Sequence, residues 1–275
     1  TNFSSNELGY HSLQGGALRP WEGTGSYYEE PHLVSFLGRV NYTYDDRYVL
    51  TVNLRTDASS KFGRNHKWGV FPSVSAAWNI TREKFMRRFH LIDNLKLRLG
   101  YGLAGNQGGI DSYTTMALVR PNGVTPVGNS PLVTYESLKN VNPDLKWEST
   151  SMFNIGIDFG FLHNRLSGTI EYYDKRTSDL IYDYPVSTNR YPYGTMTANV
   201  GDISNKGIEI TINAVPVQTH NFTWSTTLNL SHNKNVVEKL TNASYSVPYI
   251  DMSDPDVGGF SGQNVQRIME GSPIG

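Results

Sequence analysis

Leu95-Lys96-Leu97-Arg98-Leu99-Gly100-Tyr101-Gly102-Leu103 is the stretch on which the reading of this sequence turns. Leucine or tyrosine stands at every odd position, and lysine, arginine or glycine at every even one. A period of two sends successive side chains to opposite faces of an extended strand, so the segment has one apolar and one polar face. On a helix the same residues would be scattered around the whole circumference.

Seven further runs share the pattern. Val34, Phe36, Gly38, Val40, Tyr42 and Tyr44 alternate with Ser35, Arg39, Asn41 and Thr43; Tyr48, Leu50, Val52 and Leu54 alternate with Thr51, Asn53 and Arg55. Trp68 to Ile80 carries Val70, Val74, Ala76, Trp78 and Ile80 in one phase. Phe153 to Phe161, Leu166 to Tyr172, Ile208 to Ala214 and Phe222 to Leu230 complete the set. The mid-strand charges Arg39, Arg55, Lys96, Arg98, Asp158, Glu171 and Glu209 all fall in the polar phase. Lipid enforces such segregation, because Arg or Lys on the lipid face at the bilayer midplane costs about 2–4 kcal/mol. A strand of about ten residues, tilted by about 45°, also spans an apolar band of about 25 Å.

The connections agree. Asp45-Asp46, Leu162-His163-Asn164 and Pro216 to Asn221 are short, whereas residues 58–67, 104–150 and 176–206 form long links. Arg82-Glu83-Lys84-Phe85-Met86-Arg87-Arg88-Phe89 can form one or two helical turns between the third and fourth runs. Short turns alternating with long loops are the pattern of an outer-membrane barrel. Tyr42, Tyr44, Tyr48, Trp78, Phe159, Phe161, Phe222 and Trp224 cluster toward the turn ends. Trp68, Tyr101, Tyr172 and Tyr173 lie toward the loop ends, and the two groups are the expected interfacial girdles.

Composition narrows the classes. The 275 residues include 17 Tyr, 26 Gly and no Cys, and the net charge is −1. That balance is wrong for a nucleic-acid partner, and the missing Cys removes disulfides and thiolate metal sites. No stretch is long and apolar enough for a membrane-crossing helix, which leaves strand crossing open. Thr1-Asn2-Phe3-Ser4 has no signal-peptide pattern and the carboxyl end is turn-like, so both ends are expected to be cut.

Several segments resemble one family. Gly38-Arg39-Val40-Asn41-Tyr42-Thr43-Tyr44-Asp45-Asp46-Arg47-Tyr48, Asp57-Ala58-Ser59-Ser60-Lys61-Phe62-Gly63 and Trp68-Gly69-Val70-Phe71-Pro72-Ser73 are similar to the SusC/RagA family of TonB-dependent outer-membrane transporters. Leu95-Lys96-Leu97-Arg98 with Tyr101-Gly102 and Gly105-Asn106-Gln107 continues the likeness. So do Asn142-Pro143-Asp144-Leu145-Lys146-Trp147-Glu148, Asn205-Lys206-Gly207-Ile208-Glu209 and Glu270-Gly271-Ser272-Pro273-Ile274-Gly275. The resemblance implies an all-β, antiparallel transmembrane barrel segment, roughly eight of about 22 strands, with long extracellular loops and an internal plug that this sequence omits. It implies a SusD-like surface lipoprotein, TonB acting through the plug, and an oligosaccharide or peptide substrate. Outer-membrane lipid is the expected surround. The expected division is an extracellular lead-in at 1–32, barrel strands and loops at 33–232, and a loop toward further strands at 233–275.

Candidate chemistry is sparse. Gly102-x-x-Gly105-x-x-Gly108-Gly109 opens no helix and lacks the lysine of a phosphate loop. Asp251-x-x-Asp254-x-Asp256 offers three carboxylates for calcium but misses the helix–loop–helix spacing, so a solvated acidic loop is the expectation. The seven histidines have no zinc spacing, and no Gly-x-Ser-x-Gly elbow is present. No cofactor, metal or catalytic activity is expected. The sequons at Asn41, Asn79 and Asn229 fall inside predicted strands and read as chance matches. Arg39, Arg55, Arg98, Glu171 and Glu209 either line a substrate path or form an ion-pair network within the wall and toward the plug. Trp147, Tyr191 and Tyr193, with Tyr113, Tyr135 and Tyr184, either stack on substrate or pack loop on loop. The alternatives are a soluble all-β carbohydrate-binding domain and a small self-closed eight-stranded barrel.

Overall fold

The computed structural model describes residues 10–11, 13, 26, 28–128, 130–241, 246–252 and 266–274. Among these the strands are β1 (Leu33–Tyr44), β2 (Tyr48–Ser59), β3 (Trp68–Asn79), β4 (Ile92–Asn106), β5 (Val119–Val127), β6 (Ser130–Ser137) and β7 (Glu148–Phe161). They continue as β8 (Leu166–Ser178), β9 (Ile181–Pro185), β10 (Thr195–Asn199), β11 (Asp202–Gln218), β12 (Thr223–Lys239), β13 (Tyr249–Met252) and β14 (Gln266–Met269). All eight predicted runs are strands, and they form one sheet in the order β1-β2-β3-β4-β7-β8-β11-β12, every neighbour antiparallel.

Register carries the two-face pattern across the sheet. Leu50↔Ala76↔Leu99↔Ile155↔Tyr172↔Ile208 is one row of directly opposed residues on the apolar face. Thr51↔Ser75↔Gly100↔Asn154↔Tyr173↔Gly207 is the adjacent row on the polar face. Tyr173 therefore faces opposite to Tyr172 and does not belong to the girdle. Its ring crosses β11 over Gly207, where an added Cβ would lie 2.6 Å from the hydroxyl. The other girdle residues keep the apolar phase, and Tyr44, Tyr48 and Trp78 stack in series at 6.4 and 6.5 Å.

The strands are longer than their alternating runs. β11 and β12 reach 17 residues each. Beyond Tyr172 and Ile208 the apolar phase turns to Asp174, Arg176, Lys206 and Lys234, and Lys206 Nζ lies 3.0 Å from Asp174. Charge in that phase is tolerable only in water, so the apolar band ends there and the sheet continues past it.

The turns follow from backbone signs. Asp45 and Asp46 have φ of 51° and 50°, and the Arg47 amide donates to Tyr44 O at 3.0 Å. Two central residues with positive φ form the hairpin turn whose twist matches paired strands, and aspartate tolerates it well. The predicted helical turns are two 3₁₀ segments, Ile80–Arg82 and Lys84–Arg88.

The hydrophobic cores lie at the loop end, where link residues cluster with Phe71 of β3 and Val237 of β12. The wall's apolar face is bare, with Phe36 61 % and Tyr42 59 % exposed, as expected of a surface that meets lipid. Phe62, Phe71, Ile110, Leu145 and Trp147 form one buried cluster at the loop end. Tyr184, Ala198, Val200, Val237, Leu240 and Val247 form another. Two of the long links carry paired strands of their own, β5 with β6 and β9 with β10, and β13 pairs with β14 beyond β12.

Candidate functional site

The polar face holds two constellations. The first is an ion array at mid-strand. Arg98 extends across β7 to reach Asp158 Oδ1 at 2.9 Å and Asp158 Oδ2 at 3.0 Å. It also reaches Glu171 Oε2, on β8, at 3.3 Å. Directly opposite Arg98 on β7 is Gly156, where a Cβ would sit 2.9 Å from Arg98 Nη2. Glycine here clears the path by which one guanidinium links three strands. Asn154 donates to Glu171 Oε1 at 3.3 Å. Glu209 lies directly opposite Glu171 on the same face. Lys96 completes the array beside Asp158.

The second is a groove of about 880 Å³ toward the loop end. Arg39 donates to Asn53 Oδ1 at 2.6 Å, and Asn53 donates to Ser73 Oγ at 3.0 Å, so three strands share one polar row. Arg55 pairs with Asp57 at 2.8 Å. The far wall is Asn106, Gln107 and Trp147. Such a surface offers cationic, anionic and amide groups to a polar ligand, with an aromatic edge beside them.

Sequence reasoning grouped eight residues that the structure sorts into four places. Arg39, Arg55 and Trp147 share the groove; Arg98, Glu171 and Glu209 share the array. Trp147 is only 9 % exposed, packs on Phe62 and Phe71, and donates its indole N–H to Lys67 O at 3.0 Å. Tyr191 lines a separate cleft of about 670 Å³ with Asn142, Asp144 and Arg190, whose guanidinium lies 5.4 Å from the Tyr191 ring centre. Tyr193 is pinned, its hydroxyl donating to Ser137 O and its amide to Asn140 Oδ1. Asn53, Asp57, Asn106, Gln107 and Asp158 were not among the nominated residues. Asp158 was legible, since it sits in the polar phase beside Arg98. Of the acidic calcium candidate, Asp251 pairs with Arg267 at 2.6 Å, while Asp254 and Asp256 lie outside the described residues.

Asparagines hold the loop end above this face. Asn140 donates to Tyr193 O and Thr195 O at 2.6 Å each, and Asn142 donates to Thr197 O at 3.0 Å. Asn199 accepts from the Lys146 amide and donates to Lys146 O, both at 2.8 Å. A side-chain amide can satisfy a donor and an acceptor together, which ties β10 to residues 140–147 as an extra strand would. Tyr184, under the same layer, donates to Val200 O at 2.5 Å, and burial pushes its phenol up to about 12.

A bare apolar face, a charged opposite face and a looped end together describe one wall of a membrane barrel. The family model for the TonB dependent receptor-like β-barrel matches residues 2–268. This chain belongs to that family. The TonB-dependent receptor SusC of Bacteroides thetaiotaomicron is 36 % identical over 85 % of the chain and 25 % of its own length. The TonB-dependent receptor P3 of Formosa agariphila is 35 % identical over the whole chain and 26 % of its own length. The RagAB peptide importer in its "open-open" state superposes with a TM-score of 0.75 at 26 % identity, over 92 % of this chain and 26 % of that one. The chain thus spans about a quarter of the length of the relatives it matches.

As a TonB-dependent receptor barrel segment of SusC/RagA type, it sits in the bacterial outer membrane and is not an enzyme. The soluble-domain alternative is thereby set aside. In such barrels the short turns face the periplasm and the long links face outward. The family motifs acquire physical roles here. Phe62, Leu145 and Trp147 come from two of them and bury together. Gly63 lies so close to Pro143 that an added Cβ would be 1.8 Å from its carbonyl oxygen.

Proposed function

We propose that this chain supplies part of the inner wall and outer loops of an importer for nutrient oligomers, oligosaccharides or peptides. The importer works with a SusD-like surface lipoprotein and is driven by TonB acting on a plug domain. The observation that carries the reading is the groove bounded by Arg39, Asn53, Arg55, Asp57 and Trp147, on the polar face and open toward the outer loops. Arg39 and Arg55 offer donors to hydroxyl, carbonyl or carboxylate oxygens, and Asn53 and Asp57 present acceptors. Arg98, Glu171 and Glu209 form the charged lining deeper along the same face. Tyr191 and Tyr193 belong to the outer rim, where Tyr191 offers a ring face and Tyr193 holds the loop. The family resemblance of the sequence motifs is what raises the oligosaccharide reading. The RagAB likeness supports a peptide, which is the second reading.

The test is genetic and then local. A strain lacking the intact receptor should lose growth on one class of oligomer, glycan or peptide, and keep growth on its monomers. The chromosomally tagged receptor should co-purify with a surface lipoprotein. Arg39→Ala and Arg55→Ala should then raise the half-saturating oligomer concentration while leaving the amount of receptor in the outer membrane unchanged. Normal growth of the deletion strain on every oligomer would sink the proposal.

A further inference from the structure

The link between β3 and β4, Ile80 to Leu91, folds over the membrane-facing side of the wall and not toward the lumen. Glu83 accepts hydrogen bonds from Tyr48 Oη at 2.7 Å and Trp78 Nε1 at 3.1 Å. Both aromatics stand in the apolar phase, so the carboxylate that joins them must lie on the lipid side. Phe85, Phe89 and Leu91 are 49 %, 50 % and 66 % exposed, whereas Met86 is buried. Interleaved with these apolar groups are Lys84, Arg87 and Arg88, all exposed.

The acids at this end are already engaged. Asp45 pairs with Arg47, Asp46 with Arg82 at 3.0 Å, and Glu83 with Arg47 at 3.4 Å. Asp93 accepts from the Asn164 amide at 2.9 Å. No ion pair to Lys84, Arg87 or Arg88 occurs among the described residues, so the link carries three exposed cations with no carboxylate partner there. Glu83 ties this link to Tyr48 and Trp78, and those two rings line an apolar furrow of about 200 Å³ on the apolar face with Leu50, Ala76, Leu97 and Leu99.

We propose that this link and furrow form a binding site for an anionic phospholipid of the periplasmic leaflet. The acyl chain lies in the Ala76 furrow, the phosphate is held by Lys84, Arg87 and Arg88, and Phe85 and Phe89 enter at headgroup depth. The occupant follows from continuity with the lipid-facing surface and from charge complementarity. Aromatic rings and basic side chains favour the membrane–water boundary, and each Lys or Arg near an anionic surface strengthens binding about five-fold. Ala76 matters because a larger side chain there would fill the furrow between the two stacked aromatics.

The experiment uses the intact receptor in detergent, with native mass spectrometry of retained lipid. Phosphatidylglycerol and phosphatidylcholine of equal chain length are offered in competition. The expected result is preferential retention of phosphatidylglycerol, weakened by salt. It should fall about a hundred-fold in the Lys84→Gln/Arg87→Gln/Arg88→Gln variant, and Ala76→Leu should lower retention of both lipids. Equal retention of the two lipids by the unaltered receptor would overturn the proposal, and that arm does not depend on the variants folding. Displacement of the lipid by excess inorganic phosphate would also overturn it, since the cluster would then recognise phosphate alone.

Discussion

Glu171 and Glu209 face each other directly across β8 and β11, and Arg98 reaches Glu171 but not Glu209. Like charges directly opposed on neighbouring strands are destabilising, by amounts of the order of 0.2–1 kcal/mol. The arrangement makes two substitutions act in opposite directions. Glu209→Gln should raise the thermal midpoint of the detergent-solubilised receptor slightly. Arg98→Gln leaves Asp158 and Glu171 without their shared cation and should lower stability by about 1.5–3 kcal/mol, the range for hydrogen bonds to charged groups. Heat-modifiable gel mobility measures both. A double change of Arg98→Gln with Glu171→Gln should recover part of the loss, because one unpaired carboxylate is removed along with the cation.

Glu83 predicts a response to acid. Hydrogen bonds from Tyr48 and Trp78, together with Arg47, hold its carboxyl below the ordinary glutamate range. A depressed folded-state value means that the stabilisation is fully present above the unfolded value of about 4.3, and is lost as pH falls through the lower folded value. Trp78 fluorescence should therefore change in acid as the indole loses its acceptor. Glu83→Gln should remove that transition while the barrel stays folded at neutral pH. An identical acid titration in the variant would show that the clamp is not the titrating group.

The outer layer should depend on Trp147 more than any polar groove residue. Its ring fills a buried cluster with Phe62, Phe71, Ile110 and Leu145. Removing such a side chain costs about 3–5 kcal/mol through lost burial and the cavity left behind. Trp147→Ala should make the links between residues 104 and 150 sensitive to added protease on whole cells. The barrel itself should remain heat-modifiable, because its strands are held by a hydrogen-bonded ladder and by lipid.

How much of this was legible beforehand depends on what surrounds each segment. Inside the apolar band, lipid and lumen impose opposite demands on alternate residues, so Leu95 to Leu103 announces itself. Past the band both faces meet water, and Asp174, Arg176, Lys206 and Lys234 break the alternation while the ladder continues. The β5–β6 hairpin hides behind Pro121, Pro126 and Pro131, residues that ordinarily demote a strand. Tyr173 adjoins Tyr172 in the sequence, and only register separates their faces. For the groove, the polar phase pointed to Arg39 and Arg55. Nothing local showed that Trp147 would be packed by Phe62, which lies far earlier in the chain.

Gly63 and Gly156 give the sharpest contrast between two substitutions of the same kind. At Gly156 an added Cβ meets the mobile end of Arg98 at 2.9 Å. The guanidinium can swing aside, so Gly156→Ala should cost little beyond a weakened link to Glu171. At Gly63 the Cβ would meet the backbone carbonyl of Pro143 at 1.8 Å, and the Gly63 amide already donates to Leu145 O at 3.4 Å. Backbone cannot yield without parting the Phe62 segment from the Leu145–Trp147 segment, and overpacking of this sort costs about 1–3 kcal/mol. Gly63→Ala should therefore reproduce the protease sensitivity of Trp147→Ala, without any cavity and with the barrel still heat-modifiable. Gly156→Ala should leave the loops as resistant as in the unaltered receptor. Equal protease resistance of the two glycine variants would mean that the outer loops are not held by the contact between these two segments.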